Sequence, residues 1–181
     1  MVFAALTAAG AFIRLPFRPF QPTTLQVFFV LLSGVVLGSR LGAASQLTFI
    51  FLGFLGLPYF NVLADVMPLP HIFASPDFIH YQLPMGYLIG FIAASFLAGY
   101  VSRAPEVNFL GIFGGMLLAA FLIYEFAFVF FLILRIPGFN WNSVKSAAGF
   151  FGMDIFKCLG AAYLAYQLRS LNLEAPEPAS P

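Results

Sequence analysis

Charge is what this chain has least of. Only 8% of its 181 residues are Asp, Glu, Lys or Arg, where a soluble domain carries about a quarter. The net charge is +1, so no basic footprint for nucleic acid is present. Cys158 is the single cysteine, which excludes an intramolecular disulfide and a cysteine-rich metal site. Set in an apolar helix, it reads as a small hydrophobic filler. GxxxxGK[ST], HExxH and GxSxG are all missing, so neither a P-loop ATPase nor a metalloprotease or serine-hydrolase site is encoded. No inverted repeat is visible, which argues against a self-contained secondary transporter. His71 and His80 are separated by a proline-bearing stretch and have no thiol partner near them, so no metal site is expected. The remaining chemistry is binding, not bond-making.

Hydrophobic residues fill 61% of the sequence, and phenylalanine alone occurs 25 times. A core built from so short a chain cannot hide that much apolar surface, so the bilayer must take it. An all-α membrane protein of six transmembrane helices in one bundle follows. The first apolar run, Met1 to Ile13, has no basic segment before it, while Arg14 and Arg18 follow it. It is read as a helix and not as a cleaved signal. Further helices are expected at Leu25 to Leu37, Leu41 to Leu55, Pro84 to Val101, Phe109 to Leu134 and Val144 to Leu168. Residues 1–170 form one domain, and 171–181, with the proline-rich "EAPEPASP", form a disordered tail. A long connection from about Pro58 to Gln82, rich in apolar and aromatic residues, is read as a lid or wall between helices 3 and 4. With the N-terminus inside, Arg40, Arg103 and Arg169 lie inside and Arg14, Arg18, Arg135 and Lys145 outside. The positive-inside rule leaves the orientation open at that difference.

Within "GFFGMDIFKCLGAAYLAYQLR", Asp154 and Lys157 stand three residues apart, a spacing that puts both on one helix face. Facing lipid, either charge costs several kcal/mol, so both are expected to point inward. Two roles fit: a structural ion pair, or a carboxylate acceptor beside an ammonium donor aimed at a polar solute. Gln26 and Gln46 suit helix-to-helix hydrogen bonds. Glu125 stands beside Tyr124 in the fifth helix, and the Tyr87 phenol needs a partner if buried. In "AALTAAGA", Ala4 and Ala8, and likewise Ala5 and Ala9, are four apart, a spacing that lets helices approach closely in lipid.

Three stretches carry a resemblance. They are "TTLQVFFVLLSGVVLGSRLGAASQLTFIFLGFLGLPYF" (Thr23 to Phe60), "PMGYLIGFIAASFLAGY" (Pro84 to Tyr100) and "GMDIFKCLGAA". In order and spacing they resemble the BioY family, the biotin-binding S components of energy-coupling-factor (ECF) transporters, along nearly the whole chain. Met85 stands where that family usually has Thr, one Gly of its "TGG" is absent, and "GMD" replaces its "PGD". The resemblance implies a six-helix protein of the bacterial plasma membrane that is not an enzyme and needs no cofactor. It would capture biotin outside the cell, with a transmembrane coupling subunit and two ATPase subunits supplying the power. It also implies a cytoplasmic N-terminus and an outward-facing lid.

On this resemblance Asp154 would accept from a ureido N–H and Lys157 would donate to the ureido carbonyl. Gln26, Tyr87 and Asn61 are further substrate-binding candidates, and Arg14, Arg18, Arg135 or Lys145 could steer the valeryl carboxylate. Ala4 and Ala8 would dock the coupling subunit, with packing inside the bundle as the other role for them. The altered residues leave open an S component for another small vitamin, and a stand-alone facilitator is a further alternative.

Overall fold

The structure, a computed structural model, describes residues 1–15, 23–55, 78–134 and 141–174. Six helices are present among them: α1 (Val2–Phe12), α2 (Gln26–Leu37), α3 (Ser39–Phe54), α4 (Phe78–Ser102), α5 (Phe109–Leu134) and α6 (Trp141–Glu174). A two-residue antiparallel ladder joins α1 to α2, pairing Arg14 with Thr24 and Leu15 with Thr23.

The expected helices are all found, five of them with shifted ends. α5 has the bounds read from the sequence. α4 begins at Phe78, six residues before Pro84, where a helix start was expected. Proline removes one N–H but is tolerated within a membrane helix when neighbours compensate. α6 begins at Trp141 and continues through Glu174, into the segment expected as a disordered tail; 175–181 lie outside the described residues, as does the expected lid from 56 to 77.

The helices differ in reach. At 1.5 Å per residue, α1 and α2 are about 17 and 18 Å long, against a hydrocarbon core of about 30 Å. Among the described residues, the segment Phe109–Phe130 of α5, with mean hydropathy 2.1, is long and apolar enough to cross a membrane by length and composition. Val2–Phe12, Gln26–Leu37 and Gly86–Ser102 are apolar but shorter. The outer surface is nonetheless apolar on every helix: Phe51, Leu110 and Phe156 are 60%, 71% and 63% exposed. A surface of this kind suits lipid better than water.

Small residues decide where helices cross. α2 and α3 both lie on α4, and α4 packs along α5. A Cβ on Gly34 would come within 2.1 Å of the Ser95 carbonyl oxygen, and one on Gly90 within 2.7 Å of the Ile123 Cα. Backbones in contact at such points gain van der Waals packing that lipid cannot replace. Between α2 and α3 the chain turns at Gly38, whose φ of +85° is one that a side chain rarely adopts. The Arg103 guanidinium packs against Gly38 and donates to the Val36 carbonyl at 3.4 Å. Arg169 donates to the carbonyls of Ala104 (2.9 Å) and Val107 (3.0 Å). The α2–α3 turn, the α4–α5 connection and the end of α6 therefore share one end of the bundle.

A buried polar cluster ties the first four helices together. Gln46 on α3 directs its amide nitrogen at Thr7 on α1 (3.2 Å), at Ser33 on α2 (2.9 Å) and at Ser45 beside it (3.3 Å). Ser33 in turn meets Ser95 on α4 at 2.8 Å. The hydroxyls of Thr7, Ser33 and Ser45 each donate to a carbonyl on their own helix. Their oxygens are thus left as acceptors, and this sets the Gln46 amide with its nitrogen toward them. The expected helix-to-helix role of Gln46 is the one observed.

Replacing Gln46 with Leu should lower unfolding stability in detergent by about 1 kcal/mol, the scale of such bonds in membrane proteins. Thr48→Val should change it by less than about 0.5 kcal/mol, since Thr48 bonds only to Ala44 of its own helix. Thermal unfolding of the two variants side by side checks the difference.

Candidate functional site

The buried face of α6 reads Asp154, Lys157, Cys158, Ala161, Ala162 and Ala165, the three- and four-residue steps of one helical stripe. Ile155, Phe156, Leu159 and Tyr163 face outward. The two charges lie in the inward stripe because the register leaves them no other place. The alanines after them let α6 close on α2 and α5. Along α6, Asp154 lies about 22 Å from Arg169, so the charged centre sits toward the bundle end opposite the arginine contacts.

Asp154 is fully buried and Lys157 is 4% exposed. The Lys157 ammonium donates to Asp154 Oδ1 at 2.5 Å. The Tyr124 hydroxyl, from α5, donates to Asp154 Oδ2 at 2.6 Å. Each carboxylate oxygen thus accepts one strong, charge-assisted hydrogen bond, one from α6 itself and one from α5. A carboxylate has about four acceptor positions, so two remain after both bonds are made.

Tyr124 is itself held by rings. Tyr87 on α4 packs edge-on against it, with centroids 5.5 Å apart and planes at 86°. Phe151 on α6 does the same at 5.7 Å and 85°. Phe121 meets Phe151 edge-on at 6.1 Å. Such T-shaped pairs are a favoured aromatic geometry. The phenol that meets the charged pair is thereby held by aromatic rings from α4 and α6.

Of the residues predicted from the sequence, Asp154 and Lys157 meet, and Tyr87 joins them through Tyr124. Asn61 lies outside the described residues, as do the side chains of Arg14, Arg18, Arg135 and Lys145. Gln26 is 4% exposed at the start of α2, with its backbone near Gly10. Its amide nitrogen has no hydrogen-bond partner among the described residues. Glu125 does not make the Asp154 contact; the tyrosine before it in sequence does.

The alanine stripe needs a correction. Ala4 and Ala8 are buried, at 2% and 9% exposure, within the hydrophobic core. That burial gives this pair the internal-packing role instead of a docking face. Ala5 and Ala9 are the pair on the exposed side of α1.

Comparison with known proteins adds an independent line. A family model described as "BioY family" matches residues 1–173. A Thermotoga maritima protein named "Biotin transporter BioY" is 32% identical over 173 residues, covering 96% of this chain and 95% of that one. A "Probable biotin transporter BioY" of Pyrococcus horikoshii is 35% identical, covering 93% and 92%. A Lysinibacillus sphaericus protein of the same description is 43% identical over 107 residues, or 58% of this chain and 47% of that one. Among solved structures, the S-component for biotin from an ECF-type ABC transporter superposes with a TM-score of 0.68. At 20% identity, over 93% of this chain and 87% of that one, that likeness speaks for the fold.

The geometry sets an order among variants. Lys157→Met alone leaves a buried carboxylate without its cation and should destabilise the protein by about 3–5 kcal/mol. Lys157→Met combined with Asp154→Asn removes both charges and keeps an acceptor for Tyr124, so most of that loss should return. Unfolding in detergent, single variant against double, checks the order.

Proposed function

The chain belongs to the BioY family, and on that footing we propose that it is the substrate-binding component of an ECF transporter with biotin as its cargo. It works as a multi-pass protein of the bacterial plasma membrane. It captures biotin outside the cell and hands it to a transmembrane coupling subunit driven by two ATPase subunits. It performs no bond chemistry of its own.

The observation that carries this proposal is the Asp154–Lys157 pair, held inside an apolar, aromatic-walled bundle. Biotin's ureido ring sets an N–H beside its carbonyl on one edge. A carboxylate and an ammonium side by side complement that edge: Asp154 accepts from the N–H, and Lys157, with three N–H groups, donates to the carbonyl. Hydrogen bonds to charged groups contribute about 1.5–3 kcal/mol each. Phe151, Phe121 and Tyr87 supply apolar surface for the thioether ring and valeryl chain. Gln26 has a buried amide nitrogen without a partner among the described residues, a donor suited to a ligand oxygen. Asn61 in the connection after α3 completes the proposed binding set.

The orientation fits. With the N-terminus in the cytoplasm, as the family resemblance implies, the end that carries Arg103 and Arg169 is cytoplasmic. The charged centre then lies in the outer half, where an external solute arrives. Ala5 and Ala9, on the exposed side of α1, offer the coupling subunit a close-approach stripe.

Purified protein should bind biotin, and not thiamine or riboflavin, by calorimetric titration. Asp154→Ala, confirmed as folded, should weaken biotin binding tenfold or more, equivalent to about 1.4 kcal/mol. Unaltered biotin affinity in that variant, or selective binding of either other vitamin, would contradict the assignment.

A further inference from the structure

The contact between Tyr124 and Asp154 gives the site a property beyond its charge pair. An aspartate χ2 is a broad, roughly twofold torsion. One hydrogen bond to Oδ1, from Lys157, leaves the carboxylate free to turn about that contact. A second bond to Oδ2, from an independent helix, pins both oxygens and so fixes the plane of the group. The free acceptor positions of a carboxylate lie near that plane, so fixing the plane fixes the direction from which a further N–H can be received.

The ring contacts explain why Tyr124 can do this. Tyr87 at 5.5 Å and Phe151 at 5.7 Å pack edge-on against its ring, so the hydroxyl is carried at a set position from α5. Its proton is committed to Asp154 at 2.6 Å, which leaves Tyr124 acting through the carboxylate and not on a ligand directly. We propose that Tyr124 is a positioning residue that sets the carboxylate plane of Asp154, and thereby the site's selectivity for a cyclic urea or amide edge with N–H and C=O side by side. The inference rests on the biotin-binding assignment above.

The test is a cycle in protein and ligand together, because a general structural effect cancels in it. Wild type and Tyr124→Phe are each titrated with biotin and with biotin methylated on its ureido nitrogens. Phenylalanine keeps the ring that packs on Tyr87 and Phe151 and removes only the hydroxyl; melting temperatures of the two proteins confirm folding. Wild type should prefer biotin strongly. Tyr124→Phe should lose about tenfold in biotin affinity and much less for the methylated ligand, so that the preference shrinks by severalfold or more. Equal weakening toward both ligands would reduce Tyr124 to a structural role, and unchanged affinities would remove it from the site; either overturns the inference. If wild-type protein binds no biotin at all, the transport assignment falls and this inference with it.

Discussion

Everything distinctive about this bundle depends on one carboxylate, Asp154, held between an ammonium from its own helix and a phenol from the next. In a chain with 8% charged residues, a lone buried charge would cost several kcal/mol. The pair removes most of that penalty, yet an apolar replacement would remove all of it. Retaining the charges therefore gains little for the fold itself. Under the proposed function, their value lies in offering biotin an acceptor and a donor inside an oily enclosure, where electrostatic attraction is stronger than in water.

The rest of the structure keeps that enclosure in register. Gly34, Gly90 and their contacts bring α2, α3, α4 and α5 together backbone to backbone. The Gln46 cluster ties α1 through α4, while Arg103 and Arg169 fasten the connections at one end. Ser95 lies about 10 Å along α4 from Ser102, and Asp154 about 22 Å along α6 from Arg169. The Gln46 cluster thus serves cohesion nearer the arginine end, and the charged pair lies nearer the other, where we propose that it serves recognition. The two kinds of buried polarity do not compete for the same partners.

Much of this was legible beforehand where periodicity alone decides. The bounds of α5 follow from an unbroken apolar run, and the shared face of Asp154 and Lys157 follows from their spacing. Motif order pointed to the family that the comparisons then matched. What the sequence leaves ambiguous is direction around a helix axis. Ala4/Ala8 and Ala5/Ala9 have the same spacing, and only packing against α2 and α3 decides which pair is inside. Glu125 is the charged residue of α5, whereas its neighbour Tyr124, a residue common at interfaces, makes the contact with Asp154. A tyrosine flanked by an inward-facing stripe of Ile123 and Ala127 was the available signal. Pro84 resembled a helix start, yet α4 runs through it.

An experimental structure of the protein with biotin bound tests the central claim most directly. The account predicts a ureido N–H within hydrogen-bond distance of an Asp154 oxygen, the ureido carbonyl near the Lys157 ammonium, and the Tyr124 contact preserved. Biotin seated elsewhere, with Asp154 touching only Lys157 and Tyr124, would contradict it.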